Sequence, residues 1–234
     1  MGLNRVSRRS LTVLGCAGAA LVVTGATAMA APPVTPTSTT EAGYTAAITG
    51  STFLLKTQLT VPTLTCSGQA GIQSGAYLIT GTSTSTGGGI LVGCSAETPG
   101  YEAVALINGV RTVLTKITVA PGDAINVSVS VSATATNVAV IDTTKSTRQS
   151  EAGAGIAPTH LLVGDQAVGA SGGGLLAVPN FGKVRFRTTT LNKVAFGSTT
   201  PSAVNMANSA KVVQITTGKL SATGAAFVLT FAHS

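Results

Sequence analysis

The 234-residue chain contains no tryptophan, only three tyrosines and six phenylalanines, two histidines, three cysteines and seven acidic residues. Each shortage excludes something. The histidines, His160 and His233, do not stand in ligand spacing with any cysteine, so neither a metal site nor a cofactor is expected. Sparse basic residues, missing tryptophan and the lack of a recognisable binding motif argue against nucleic acid as a partner. Exposed ring platforms for sugars are scarce for the same reason. No serine sits in a nucleophile-elbow motif, although Asp142, His160 and Asp165 are available to a triad. No stretch long enough for a helix shows a 3.6-residue apolar period with caps.

What is present is strand chemistry. Residues Ile125 to Ser132 read I-N-V-S-V-S-V-S, which places four aliphatic side chains on one side of an extended chain and four polar ones on the other. The turn Pro121-Gly122-Asp123 precedes this strand. Asn108-Gly109 between Tyr101–Ile107 and Val110–Val119 is a strong hairpin signal, because both central residues of a type I′ turn need φ > 0. Further strands are expected at Thr52–Thr60, Ala76–Thr80, Gly89–Cys94, Val138–Asp142, His160–Val163, Gly174–Val178, Lys183–Thr189, Leu191–Phe196, Lys211–Thr216 and Ala225–Phe231. Thr82 to Gly88 and the stretch around Glu151 read as Gly-rich loops. A dozen strands in one unit predict an all-β fold, a two-sheet antiparallel sandwich of the concanavalin A-like or jelly-roll type, because one open sheet that size could not cover its apolar face.

Residues 1–30 read as a cleaved export signal. Arg5, Arg8 and Arg9 precede an apolar stretch from Leu11 to Val23, and Ala28-Met29-Ala30 offers a small-x-small cleavage site. Ser7-Arg8-Arg9-Ser10-Leu11 also suits the bacterial twin-arginine route, so Sec and twin-arginine export both stay open. Acylation of Cys16 as a lipoprotein fits less well, and no stable membrane insertion is expected after cleavage. Residues 31–44, rich in Pro, Thr and Ser, are expected to form a flexible tether, with one domain over 45–234. Loss of the leader leaves 11 basic against seven acidic residues, a mild net +4. It also leaves Cys66 and Cys94 as an even pair. In an oxidising compartment these are expected to form one disulfide closing a loop of roughly 28 residues, worth on the order of 3 kcal/mol.

From Ala76 to Phe231 the order of motifs resembles the eqolisins, the glutamic peptidases. The matching pieces are Tyr101-Glu102, Val119-Ala120-Pro121-Gly122-Asp123 with the alternating strand after it, Leu161-Leu162-Val163-Gly164-Asp165, and Leu175-Leu176-Ala177-Val178 leading into Phe181-Gly182-Lys183-Val184-Arg185-Phe186. The resemblance implies a curved β-sandwich in which one Glu acts as general base on water while one Gln holds the water and the oxyanion. Matched by motif, the Glu position falls on His160 and the Gln position on Val92. Neither can play its role, so the resemblance implies a homologue lacking the catalytic pair. Ile72-Gln73-Ser74-Gly75 looks like the family's Leu-Gln-Thr-Gly but precedes the strand that should come before it. Gln73 and Glu102 are therefore the fallback pair.

One surface feature stands apart. Lys183, Arg185 and Arg187 share one face of a strand about 7 Å apart, while Val184 and Phe186 share the other. That row could serve an anionic cell-wall polymer, or guard a strand edge. The leading expectation is a secreted, non-catalytic binding or structural module for a protein, peptide or anionic polymer. The alternatives are an active secreted glutamic-type endopeptidase using Gln73 and Glu102, and a lectin-like carbohydrate binder.

Overall fold

The computed structural model describes residues 35–81, 84–170 and 173–233. Sixteen strands carry them: β1 Thr37–Ser38, β2 Glu41–Ala47, β3 Phe53–Thr60, β4 Ala70–Thr80, β5 Thr84–Ser95, β6 Thr98–Ile107, β7 Val110–Val113, β8 Ala124–Val131, β9 Ala135–Asp142, β10 Thr147–Ala154, β11 His160–Ala167, β12 Lys183–Leu191, β13 Val194–Ala195, β14 Ser202–Ala207, β15 Val213–Thr217 and β16 Phe227–Phe231. The one helical element described is a 3₁₀ turn at Phe196–Thr199. A front sheet runs β7-β6-β5-β4-β11-β2-β14 and a back sheet β10-β9-β8-β3-β12-β16-β15. The antiparallel β14–β15 pair carries the hydrogen bonds from one to the other. The fold is all-β and antiparallel almost throughout, as the strand pattern predicts.

The layers pack because each strand sends alternate side chains inward. On β8, Ile125, Val127, Val129 and Val131 are buried while Asn126, Ser128 and Ser130 are half-buried on the other side. Facing them are β5 and β6, where the Cβ position of Gly88 on β5 lies against Val138 and Val140 of β9. Burying a Val or Leu this fully contributes roughly 1.5–3 kcal/mol per side chain. Phe186 stacks on Phe227 at 4.8 Å between centroids, and Tyr44 meets Phe227 edge-on at 5.0 Å. This aromatic group joins β2 of the front sheet to β12 and β16 of the back one.

The Cys66–Cys94 disulfide is present, with Cα atoms 5.5 Å apart, and ties the segment before β4 to the end of β5. Asn108 and Gly109 both have positive φ, at 53° and 79°, in the β6–β7 turn. Several boundaries differ from expectation. The tether anticipated over 31–44 includes β1 and the start of β2, a strand paired on both sides. Its inward residues, Ala42, Tyr44 and Ala46, are mostly small and give a weak apolar signal. The supposed loop around Glu151 is edge strand β10, where small and polar residues replace aliphatic ones. Conversely, the strand expected over Val110–Val119 stops at Val113. Leu114, Ile117 and Val119 are buried from a turn instead, with Ile117 N–H donating to the Leu114 carbonyl. Gly174–Val178 makes only isolated bridges.

Candidate functional site

Cross-strand register decides which side chains share the outer, concave face of the front sheet, because directly paired residues of antiparallel strands point the same way. One row reads Glu41 (β2), Gln166 (β11), Gln73 (β4), Leu91 (β5), Glu102 (β6). The next row reads Gly43, Gly164, Gly75, Gly89, and the row on the other side reads Gly71, Gly93, Gly100. A band of amides and carboxylates thus lies between two strips of bare backbone. Gly43 and Gly164 have φ of 132° and 154°, and a Cβ on Gly164 would stand 2.0 Å from the Ala42 carbonyl oxygen. Only glycine fits where the sheet is folded this tightly.

Tyr77 lies along the Gly75 strip, fully buried with Ile79 and Leu162 and packed against half-buried Leu106, in a small second core on this face. Its hydroxyl accepts a hydrogen bond from Gln73 Nε2 at 3.3 Å, and burial pushes its phenol up in pKa. Gln73 is only 4% exposed, so its amide is oriented by Tyr77 rather than by water. Gln166 Nε2 donates to Ser85 Oγ at 2.9 Å. A groove of about 530 Å³ runs along Leu91, Gly93, Glu102 and Arg111, roofed at one side by Val168 and Leu176, and a smaller hollow of about 280 Å³ continues it past Gln73 and Gln166. Glu41 borders a separate depression with His160, Thr45 and Ser202. Burial pushes the Glu41 carboxyl above its usual range, and His160 pulls it back.

The register separates the residues singled out by motif. Val92 is fully buried between the sheets, on the opposite face of β5 from Leu91 and Glu102's row. His160 shares the concave face but pairs with Ile79, six residues along β4 from Gln73. Gln73 and Glu102 do share that face, separated by Leu91, so their backbones are two strand spacings apart, about 10 Å. Of this polar row the sequence pointed to Gln73 and Glu102 but not to Glu41 or Gln166, because its members come from five strands. Its local signs were Ile72-Gln73-Ser74-Gly75 and Tyr101-Glu102.

Asp165 faces the other way, into the interior between the sheets, opposite Ser74. Neither of its carboxylate oxygens nor Ser74 Oγ has a hydrogen-bond partner of good geometry among the described residues. Burial pushes the Asp165 carboxyl up to about 7, with the neighbouring Ser74 hydroxyl opposing the rise. By contrast, Asp123 and Asp142 are paired with Lys145, which also donates to the Thr118 carbonyl at 2.7 Å. That cluster pins the Pro121-Gly122 turn, where Ala120 N–H donates to Asp123 at 2.6 Å. Glu151 is half-buried at the sandwich edge and accepts from Gln149 at 3.3 Å. No group of three or more His, Cys, Asp or Glu is placed to hold a metal among the described residues, and no described helix is long and apolar enough to cross a membrane.

No family model matches this chain, and no curated protein matches it in sequence. Solved structures do match in fold. Scytalido-glutamic peptidase with a transition-state analogue inhibitor superposes with a TM-score of 0.64 at 15% identity, covering 83% of this chain and 100% of that one. SCP-B, a member of the eqolisin family of peptidases in complex with the tripeptide Ala-Ile-His, gives a TM-score of 0.63 at 14% identity over the same shares. The chain is thus similar in architecture to the eqolisins, with a fold resemblance that spans most of its described residues.

Proposed function

We propose that this chain is an exported eqolisin-fold protein that binds an extended peptide in the concave groove of the front sheet without hydrolysing it. One observation carries the reading. Every concave-face position adjoining Gln73 is something other than a carboxylate: Gln166 and Leu91 lie directly opposite, and Gly164, Gly75, Gly89, Gly71 and Gly93 surround them. A general base must come within about 3 Å of the water it deprotonates, while the amide holds that same water. Glu102 and Glu41 each sit one strand too far away for that arrangement. The groove itself suits a peptide, since Gly93 and Gly100 beside Leu91 leave bare backbone along it that an extended chain can approach closely. The similar peptidase structures hold a peptide-based analogue and a tripeptide. The leader and the disulfide support export to an oxidising compartment.

Incubation of the purified protein with denatured casein from pH 3 to 7 tests the reading. No turnover is expected, while labelled peptides should bind and be displaced from a variant with Leu91→Arg in the groove. Turnover that Glu102→Gln abolishes would establish the second reading, an endopeptidase using Gln73 and Glu102. The placement of those two on one face is what favours that alternative.

A further inference from the structure

The outer face of the back sheet, remote from the groove, is uniformly basic. On β12, Lys183, Arg185 and Arg187 are exposed in a row while Val184 and Phe186 are buried beneath them. Register adds two more cations to this face. Lys56 of β3 pairs with Thr190, and Arg187 lies in one row with Gln58, Asn126, Ile141 and Arg148 across β3, β8, β9 and β10. Lys219 joins from the turn after β15, where it lines a cleft of about 330 Å³ together with Arg185, Arg187 and Ser221. Six of the 11 basic residues outside the leader therefore gather here. None of the seven acidic residues does: Glu41 and Glu102 lie on the front sheet, Glu97 precedes β6, Asp123 and Asp142 are tied to Lys145, Asp165 is interior, and Glu151 lies on the opposite side of β10 from Arg148.

The geometry points to a binding site for a linear acidic polysaccharide bearing carboxylates, laid along β12 and anchored in the Arg185–Arg187–Lys219 cleft. Charge complementarity supplies the attraction, and the spacing of about 7 Å between alternate strand residues repeats it along the chain. The intervening side chains choose among polyanions. Thr60 pairs with Arg185, Gln58 with Arg187 and Thr230 with Lys183, so amide and hydroxyl groups alternate with cations, as a ligand carrying hydroxyls between its charges requires. No aromatic side chain lies among these outward positions, so there is no platform on which bases could stack. Guanidinium groups meet carboxylates through two parallel hydrogen bonds, which suits arginine at the anchor. This site is independent of the front-sheet groove and stands whether or not that groove cleaves peptides.

The full chain is tested for binding to polygalacturonate oligomers by calorimetry at low and at physiological salt. Dextran, single-stranded DNA and phosphatidylserine vesicles serve as comparison ligands. Binding to polygalacturonate is expected to exceed each of these. Replacing Lys183, Arg185 and Arg187 together by Gln should weaken it about tenfold or more and flatten its salt dependence. Replacing Lys116, Lys193 and Lys211, which removes the same charge elsewhere, should change it less than about twofold. Gln58→Ala with Thr60→Ala keeps every charge; it should weaken polygalacturonate binding while leaving elution from a cation exchanger unchanged. Equal losses in the two charge variants, or equal or tighter binding of DNA or vesicles, would overturn the assignment.

Discussion

Replacing Asp165 by Asn should change how stability depends on pH. The carboxyl has a pKa near 7 in the folded protein against an ordinary value of 3.8. A group whose folded pKa lies above its unfolded one binds more protons in the native state over that interval. Its stability contribution is therefore complete below the unfolded value and lost as pH rises through about 7. The difference of about three units corresponds to roughly 4 kcal/mol. Wild type and Asp165→Asn should consequently differ by a nearly constant offset plus a pH-dependent part. That part should grow from about 0.5 kcal/mol at pH 4 to about 4 kcal/mol at pH 8, favouring the variant as pH rises. Asn is nearly isosteric and keeps a polar group opposite Ser74, so the offset reflects local packing, while the slope belongs to the carboxyl alone. Urea denaturation of both proteins at half-unit steps from pH 4 to 8 measures this difference. The other carboxylates are common to both proteins and cancel. A difference that stays level over the range, or that shifts in favour of wild type as pH rises, would refute the claim that this carboxyl is buried without a partner.

The other expectations concern what holds the groove. Replacing Cys66 and Cys94 by Ser should lower stability by about 3–4 kcal/mol for a sequence separation of 28, seen as a lower urea midpoint. Gly164→Ala should cost about 2 kcal/mol or more, because the new Cβ meets the Ala42 carbonyl and the positive φ disfavours it; a midpoint unchanged from wild type would contradict the tight fold of the sheet. Tyr77→Phe should cost about 1–2 kcal/mol by leaving the Gln73 amide unpaired, and its Gln73 side-chain amide protons should exchange faster by NMR.

Much of this fold was legible where packing alone decides side-chain direction. The strand β8 declares itself because aliphatic residues face a core and Asn or Ser face outward, and the Asn108-Gly109 turn declares itself because few other pairs tolerate positive φ twice. The strands β2 and β10 did not declare themselves. Ala and Gly on β2 bury little surface each, and β10 closes an edge where Gln149, Glu151 and Gly153 point toward the partner layer in place of aliphatics. The Lys183, Arg185, Arg187 row was readable from alternation within one strand, but its continuation to Lys56 and Arg148 depends on register across five strands. The same limit governs the groove. Matching motifs in chain order directs attention to Val92 and His160, whereas face parity puts Val92 in the core and His160 far along the sheet from Gln73.

Face parity also bears on what the groove can do chemically. In an antiparallel sheet, a side chain has as same-face neighbours only its two cross-strand partners, their residues two positions away, and its own residues two positions away. For Gln73 that set is an amide, an aliphatic side chain and glycines. A carboxylate from Glu102 or Glu41 would have to reach past Leu91 or Gln166 to share a water with Gln73, and the Gln73 amide is already turned toward Tyr77. The glycines that surround Gln73 are the positions from which a neighbouring base could have projected. At both Gly164 and Gly75 a Cβ would stand 2.0 Å from a neighbouring strand's carbonyl oxygen, so neither position can accept a longer side chain without displacing that strand. On the proposed reading, the glycine positions that flank Gln73 are therefore what withholds the general base that hydrolysis requires.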